Sequence, residues 1–286
     1  MKKILFVTDS CADLPYNFKG DNVMVVPFRY SYIGETDTLR DTRYKGKNNN
    51  TRRDTHLIKS MGVSYCEALN VLNYATDNDM DVIVLYSSGR IDEFNRQAFE
   101  MATTDFKANN MGLRVTVIDS LNISQGLGLL FEKVVDLYEK ERSYDEIVTY
   151  IVQNLDKYRF DIETDDIDYY NNKDRMSFFN RLKLVNGGES SLLTLKEGKV
   201  VVARRCDDIA LRRDILVSRF VNDADLDQKA CIVYNDNDSW EADMLKDLLV
   251  KSVDQDVNID LVESSIVSGS VIRPYSLGLA YKIKEK

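Results

Sequence analysis

The stretch Ile4-Leu5-Phe6-Val7-Thr8-Asp9-Ser10 near the amino terminus decides the fold class. Four consecutive apolar residues followed by polar ones indicate a buried strand that runs into a loop. Three further apolar runs, each followed closely by proline, serine or aspartate, occur at residues 23–26, 82–85 and 115–118. Continuous apolar runs are typical of strands covered on both faces, so the sequence predicts a parallel sheet.

Amphipathic helical patterns separate most of these strands. They cover residues 64–76, 93–108, 124–141 and 143–158. Strands that alternate with helices predict an α/β first domain, residues 1–158, with a mainly parallel sheet flanked by helices. Sheets of this kind bind ligands beyond the carboxyl ends of their strands.

The second half of the sequence has a different pattern. Two apolar runs flank Lys196-Glu197-Gly198-Lys199, which predicts a β-hairpin. A helix over residues 208–221 follows, and then strands near residues 230–234 and 257–262 around a helix from residue 238. We therefore predict a second, α+β domain with antiparallel hairpins over residues 159–286.

Residues 34–60 form a long polar segment inside the first domain. It contains Asn48-Asn49-Asn50 and six Lys or Arg residues between Arg40 and Arg53. A segment of this length and polarity is typical of a long surface loop or a lid. A solvated loop and a basic contact surface are both consistent with this composition.

Composition excludes several classes of function. The 286 residues include 38 Lys and Arg against 47 Asp and Glu, a net charge of −9 that argues against a nucleic-acid partner. The single histidine, His56, excludes a multi-histidine metal site, and the four cysteines form no CxxC pair. Because Walker and GxGxxG patterns are absent too, we expect neither a metal nor a nucleotide cofactor.

Location is also inferred from what the sequence contains. The cysteines are scattered, no signal peptide precedes the first strand, and no apolar run approaches the roughly 18–20 residues that span a bilayer. These features predict a cytoplasmic protein without a membrane span.

Polar residues follow three of the predicted strands. They are Thr8-Asp9-Ser10, Ser87-Ser88 and Asp119-Ser120. Each group alone is typical of turns and helix N-caps, where Asp and Ser side chains accept hydrogen bonds from free backbone N–H groups. Their shared position at the expected ligand face makes them candidates for a binding site as well.

Six segments, in the right order along nearly the whole chain, resemble the DegV family of bacterial fatty-acid-binding proteins. Three lie in the first half, and three towards the carboxyl end. They are Phe6–Ser10 with Asp13-Leu14-Pro15; Val25-Val26-Pro27 with Asp41; Val117–Ser120 with Ser124, Gly126 and Gly128; Asp168–Tyr170 with Asp174–Ser177; Leu192–Arg205; and Pro274 with Leu277–Tyr281.

The resemblance implies a lipid carrier that has no catalytic residue of its own. In that family the carboxylate of a long-chain fatty acid lies between two domains, and the acyl tail lies in an apolar tunnel of the first. Some members present the carboxylate to a separate ATP-dependent fatty acid kinase. The resemblance therefore implies a fatty acid or another amphiphile as ligand, and such a kinase as a candidate partner.

The family's polar head-group positions are mostly replaced in this sequence. The family's Thr-Ser-Gln-Pro falls on residues 63–66, where only Ser64 is kept. Its Ser-Gly-Thr-Tyr falls on residues 92–95, where Asp92 and Phe94 replace the serine and the threonine. Its closing His-x-Gly-Pro-Gly falls on residues 271–275, where Val271 replaces the histidine and Arg273 the first glycine. A carboxylate about 4 Å from Asp92 would be repelled by roughly 1–4 kcal/mol. Arg90 or Arg273 turned inward would offset this, as would a neutral or cationic head group.

Seven residues are thus candidates for contact with a ligand or partner. Ser64 is a helix N-cap or orients an anion at that helix N-terminus. Phe94 and Tyr275 replace smaller residues of the family, and their bulk would close the apolar tunnel in a protein that has lost its ligand. Arg175 matches the arginine of a Gly-Gly-Arg segment, as a partner contact or a structural arginine. The candidate set is Ser64, Asp92, Phe94, Ser120, Val271 and Arg273 for the ligand, and Arg175 for a partner.

Two other functions remain open on the sequence. One is a small-molecule phosphotransferase on the same scaffold, for which His56 is the single available histidine nucleophile. The other is an interaction protein of the same family that has lost its ligand.

Overall fold

Thirteen strands and seven α-helices are present in the residues that the computed structural model describes, which are 2–15, 18, 20–42, 58–109, 112–164, 190–206, 208–235, 239–272 and 276–285. The strands are β1 (Ile4–Asp9), β2 (Val23–Val26), β3 (Arg29–Tyr32), β4 (Leu39–Arg40), β5 (Ile58–Ser60), β6 (Asp81–Tyr86), β7 (Val115–Asp119), β8 (Tyr158–Thr164), β9 (Ser190–Lys196), β10 (Lys199–Cys206), β11 (Ala230–Tyr234), β12 (Ile259–Glu263) and β13 (Leu277–Lys282). The helices are α1 (Tyr65–Asp77), α2 (Glu93–Asn109), α3 (Gln125–Glu139), α4 (Tyr144–Asn154), α5 (Ile209–Asp223), α6 (Ser239–Lys251) and α7 (Ile266–Ile272).

The first half contains the parallel sheet that the sequence predicts. Its strand order is β2-β1-β6-β7, and each neighbouring pair is parallel. Every residue of β1 and β6 is buried, which explains why these strands are continuous apolar runs. Because the strands are parallel, their carboxyl ends meet at one edge of the sheet.

The second half contains a six-stranded mixed sheet in the order β10-β9-β8-β13-β11-β12. The predicted hairpin is β9 and β10, joined at Glu197 and Gly198. One pair, β11 with β12, is parallel because helix α6 connects the two strands and returns the chain to the same end of the sheet. The predicted fold class, a parallel α/β part followed by an α+β part with antiparallel pairs, is confirmed.

The long polar segment is partly strand. Its two ends form β4 and β5, which pair with β3 in a small antiparallel sheet. Tyr30, Tyr32 and Ile58 bury their side chains on this sheet, and alternating burial of this kind is what a one-sided sheet requires. Residues 43–57 lie outside the described residues, so the loop or basic surface predicted there stays a prediction.

Helix α3 lies between the two large sheets. It packs against β6 of the first sheet and against β8, β11 and β13 of the second. The first seven residues of α3, Gln125 to Phe131, are all buried, as expected for a helix covered on every side. The apolar core is consequently continuous across residue 158, and the domain boundary predicted there stays a prediction.

Candidate functional site

A buried carboxylate lies at the carboxyl edge of the parallel sheet. Asp9, at the end of β1, is fully buried and accepts hydrogen bonds from the Ser87 backbone N–H (2.7 Å), the Ser87 hydroxyl (2.9 Å), the Asn95 amide (2.9 Å) and the Cys11 N–H (3.0 Å). Loss of water around the carboxyl raises its pKa to about 6, although these hydrogen bonds act in the opposite direction. Asp9 thereby ties the end of β1 to the end of β6 and to the first turn of α2.

A small cavity lies beside this cluster, between the first sheet and helix α7. Its volume is about 20 Å³, enough for one group the size of a water molecule. Two candidate residues from distant parts of the sequence, Asp92 and Val271, meet in its wall. The lining residues are Phe28, Ser60, Ser87, Ser88, Ile91, Asp92, Ile123, Val267, Ser270 and Val271.

Asp92 is held in the cavity wall by local structure. One carboxylate oxygen accepts from the Asn95 N–H (3.2 Å), which caps the amino terminus of α2, and the other accepts from the Ser60 hydroxyl. Ser60 is the last residue of β5, so the small sheet and α2 together orient this carboxylate.

Val271 reaches the cavity because helix α7 is anchored by Asp13. The Asp13 carboxylate accepts from the Ser265 N–H (2.7 Å) and the Ser268 hydroxyl (2.6 Å) at the start of α7, and from the Ser124 hydroxyl (2.5 Å) before α3. Asp13 has a left-handed backbone conformation (φ 49°), which aspartate tolerates better than most residues. This cluster fixes the wall that Val267, Ser270 and Val271 contribute.

The tip of the β9–β10 hairpin closes onto the same edge. The Ser88 hydroxyl donates to the Gly198 carbonyl (2.7 Å) and is completely buried by this contact. Arg90 pairs with Glu197 at 3.8 Å, with half of its side chain exposed. The arginine therefore faces the hairpin and solvent, and it is not part of the cavity wall.

The sequence matches one protein-family model over residues 3–284, which is nearly the entire chain. That model describes uncharacterised proteins of the DegV family. The chain belongs to the DegV family. No curated protein sequence matches it significantly.

Solved structures of DegV proteins share its fold. A fatty acid binding DegV family protein from Streptococcus agalactiae is 19% identical with a TM-score of 0.80, and the match covers 100% of both chains. A fatty-acid-binding DegV family protein from Thermus thermophilus is 22% identical with a TM-score of 0.79 over 98% of this chain and 99% of that one. The fatty acid kinase (Fak) B3 protein of Streptococcus pneumoniae, loaded with linoleic acid, is 14% identical with a TM-score of 0.79 over 99% and 100%.

Three other DegV-derived candidates lie away from the cavity wall. Ser64 is the N-cap of α1, because its hydroxyl oxygen accepts from the Glu67 N–H (3.1 Å) and donates to the Glu67 carboxylate (2.9 Å). Ser120 is buried in the turn after β7, where it bonds with Asn122. Phe94, in the first turn of α2, is 62% exposed. None of these three lines the described cavity.

Several candidates cannot be placed. Arg175, Arg273, His56 and Tyr275 lie outside the described residues. Their assigned roles stay predictions.

Three polar residues in or beside the cavity wall had not been singled out from the sequence. Ser60 and Ser270 line the cavity, and the completely buried Asn95 donates to Asp9 from one helical turn beyond Asp92. Asn95 was within reach of the sequence, since it belongs to the tetrapeptide that replaces a family motif. Ser60 and Ser270 had no such signal, because each reaches the cavity only through the packing of β5 or α7.

Across the described ranges, no group of three or more His, Cys, Asp or Glu side chains is arranged to hold a metal ion. None of the helices placed there combines the length and apolar character needed to cross a bilayer.

Proposed function

We propose that the protein binds a long-chain acyl lipid, with the head group at the cavity between Asp92 and Val271. The observation that carries the proposal is membership of the DegV family along nearly the whole chain, together with DegV structures described as fatty-acid-binding. In this proposal the domain of residues 1–158 surrounds the acyl tail, and the domain of residues 159–286 closes over the head group.

The polar and apolar sides of the cavity support this orientation. Ser87, Ser88 and Asp92 contribute polar groups at the sheet edge, and Ile123, Val267 and Val271 contribute most of the apolar surface opposite them, with Ser270 as a polar residue among them. A few polar groups set in an apolar wall are typical of sites that orient an amphiphile. Ser64, Phe94, Ser120 and Arg273 belong to the proposal as further ligand contacts.

The protein is proposed to act as a carrier and not as an enzyme. A presenting role towards a fatty acid kinase is suggested by the S. pneumoniae relative, which is described as a protein of such a kinase. Arg175 is the proposed partner contact. The cytoplasm is the proposed location, in keeping with Cys11, Cys206 and Cys231, which are buried as free thiols.

Lipid extraction tests the proposed function. Mass spectrometry of organic extracts from the purified, denatured protein should detect a stoichiometric acyl lipid. Val271→Phe, which fills the cavity, should reduce that lipid several-fold, whereas Val152→Phe on the exposed face of α4 should leave it unchanged. Absence of any acyl lipid, combined with no saturable binding of added acyl ligands, would contradict the proposal.

A further inference from the structure

The hydroxyl protons in the cavity wall are all in use. Each lining serine donates to an oxygen of the protein itself. The pairs are Ser60 with the Asp92 carboxylate, Ser87 with the Asp9 carboxylate (2.9 Å), Ser88 with the Gly198 carbonyl (2.7 Å) and Ser270 with the Val267 carbonyl (2.7 Å).

The direction of these four hydrogen bonds is fixed by their partners. Carboxylate and carbonyl oxygens accept hydrogen bonds and do not donate them, so each serine must supply the proton. A hydroxyl has one proton and two lone pairs. Ser60, Ser87 and Ser88 also accept one hydrogen bond each, from the Gly62 N–H (3.4 Å), the Asn95 amide (3.1 Å) and the Arg90 N–H (3.2 Å). Each of these three serines therefore has one lone pair left for a ligand.

The remaining lining side chains add no donor. Asp92 contributes a carboxylate, and the others are apolar: Phe28, Ile91, Ile123, Val267 and Val271. Arg90 lies two residues from both Ser88 and Asp92 in the sequence, but its side chain faces Glu197 and not the cavity. The side chains of the described wall consequently present lone pairs and one negative charge.

The size of the cavity agrees with this polarity. About 20 Å³ fits one water-sized group, such as a hydroxyl or an ammonium. A carboxylate in the same place would bring two negatively charged oxygens next to the Asp92 carboxylate and the serine oxygens.

We propose that this cavity selects a head group that donates hydrogen bonds, a hydroxyl or an amine at the end of a long acyl or alkyl chain, over an ionised carboxylate. The proposal rests on the proposed lipid-binding function and names its ligand class. It replaces the presenting role towards a fatty acid kinase, because these head groups have no carboxylate for such a kinase to phosphorylate. Asp92 is the specificity-determining residue, because it is the acceptor that carries a charge.

Four ligands with one 18-carbon chain separate charge from hydrogen-bond donation. Oleate is an anion, methyl oleate is neutral and only accepts, oleyl alcohol is neutral and donates, and oleylamine is a cation that donates. Displacement of a fluorescent acyl probe from the delipidated full-length protein gives each affinity. The assay is run at pH 8, well above the Asp9 pKa of about 6. The ionised Asp9 carboxylate then accepts the hydrogen bond from the Ser87 hydroxyl, which leaves that hydroxyl no proton for a ligand.

We expect oleyl alcohol and oleylamine to bind at least about tenfold more tightly than oleate, and more tightly than methyl oleate. Asp92→Asn, which removes the charge and adds a donor, should narrow the gap between oleylamine and oleate by about tenfold. Asp79→Asn makes the same charge change at the opposite edge of the sheet, on a side chain that is 83% exposed, and should leave the gap unchanged. Asp92→Ser, which removes the charge and keeps a side-chain oxygen to cap α2, is the second variant should Asp92→Asn fail to fold.

Three outcomes would overturn the ligand class. Oleate binding as tightly as oleyl alcohol would do so, particularly if Arg273→Ala abolished it, because Arg273 would then supply the missing cation. Methyl oleate binding as tightly as oleyl alcohol would show that donation does not matter. Either result leaves the proposed lipid-binding function intact, whereas failure of all four ligands to bind would overturn both.

Discussion

At the level of single residues, the Asp9 carboxyl is the group whose chemistry the fold changes most. Its four hydrogen bonds would normally lower a carboxyl pKa. Complete burial outweighs them, and the pKa rises from 3.8 to about 6. The charge of this carboxyl beside the cavity therefore changes near pH 6.

Because the folded state binds this proton more tightly than the unfolded state does, Asp9 should weaken the protein as pH rises. The contribution is fully present below pH 3.8, and on the order of 3 kcal/mol of unfolding free energy is lost by about pH 6. In urea unfolding between pH 4 and 7, the unfolding free energy of wild type minus that of Asp9→Asn should fall as the pH rises to about 6 and stay constant above it.

Asp79→Asn, at an exposed carboxylate, is the control and should not change the pH slope. A difference between wild type and Asp9→Asn that does not vary with pH would refute the raised pKa of Asp9.

The site was predicted residue by residue with uneven success. The meeting of Asp9, Ser87 and Ser88 followed from parallel strands, since their carboxyl ends share an edge. Asp92 and Val271 were singled out through family motifs, and the structure brings them into one wall. The positions of Ser60 and Ser270 in the cavity wall depend on tertiary packing, which no local sequence pattern predicts.

At the level of elements, the β9–β10 hairpin depends on its two-residue turn. Glu197 (φ 50°) and Gly198 (φ 77°) both have positive φ, as a type I′ turn requires. A Cβ at Gly198 would come within 2.5 Å of the Ser88 hydroxyl oxygen. The glycine is therefore needed both for the turn and for close docking on the first sheet.

Gly198→Ala should lower the unfolding free energy by more than backbone strain alone. Gly34→Ala isolates that strain, about 1 kcal/mol, because Gly34 has φ 87° and no atom within 4 Å of an added Cβ. The steric conflict at Gly198 should add about 1–3 kcal/mol.

In a Ser88→Ala background the Gly198→Ala penalty should fall to that of Gly34→Ala, because the conflicting oxygen is gone. Chemical denaturation of the four variants measures this coupling. Equal penalties with and without the Ser88 hydroxyl would contradict docking of the hairpin on Ser88.

Elements with a strong period were predictable to within a few residues. α2, α3 and both hairpin strands lie close to their expected bounds. The short strands β4 and β5 were not predicted, because two or three residues carry no period and their pairing with β3 is long-range. The parallel pairing of β11 with β12 was not predicted, although a helix between two strands is typical of a parallel pair.

At the level of the whole molecule, one face of the second sheet shares an apolar core with the first sheet, and its other face packs in a separate cluster. Phe160, Ile162 and Val233 of the second sheet belong to the same buried cluster as the strands of the first. Burial that spans both halves favours cooperative unfolding.

Native-state hydrogen exchange should therefore give equal opening free energies for β6 and β13, within about 1 kcal/mol. Fragments of the two strands can be followed separately by mass spectrometry. Opening of β13 at a clearly lower free energy than β6 would instead show that residues 1–158 fold on their own.

The Asp13–Ser268 hydrogen bond joins residues 255 positions apart. During synthesis, Asp13 leaves the ribosome long before its partner exists, and the wall formed by Val267, Ser270 and Val271 is translated about 250 residues later. The growing polypeptide thus has no complete cavity wall until translation has passed residue 271. For the lipid carrier proposed above, this order makes loading a post-translational event.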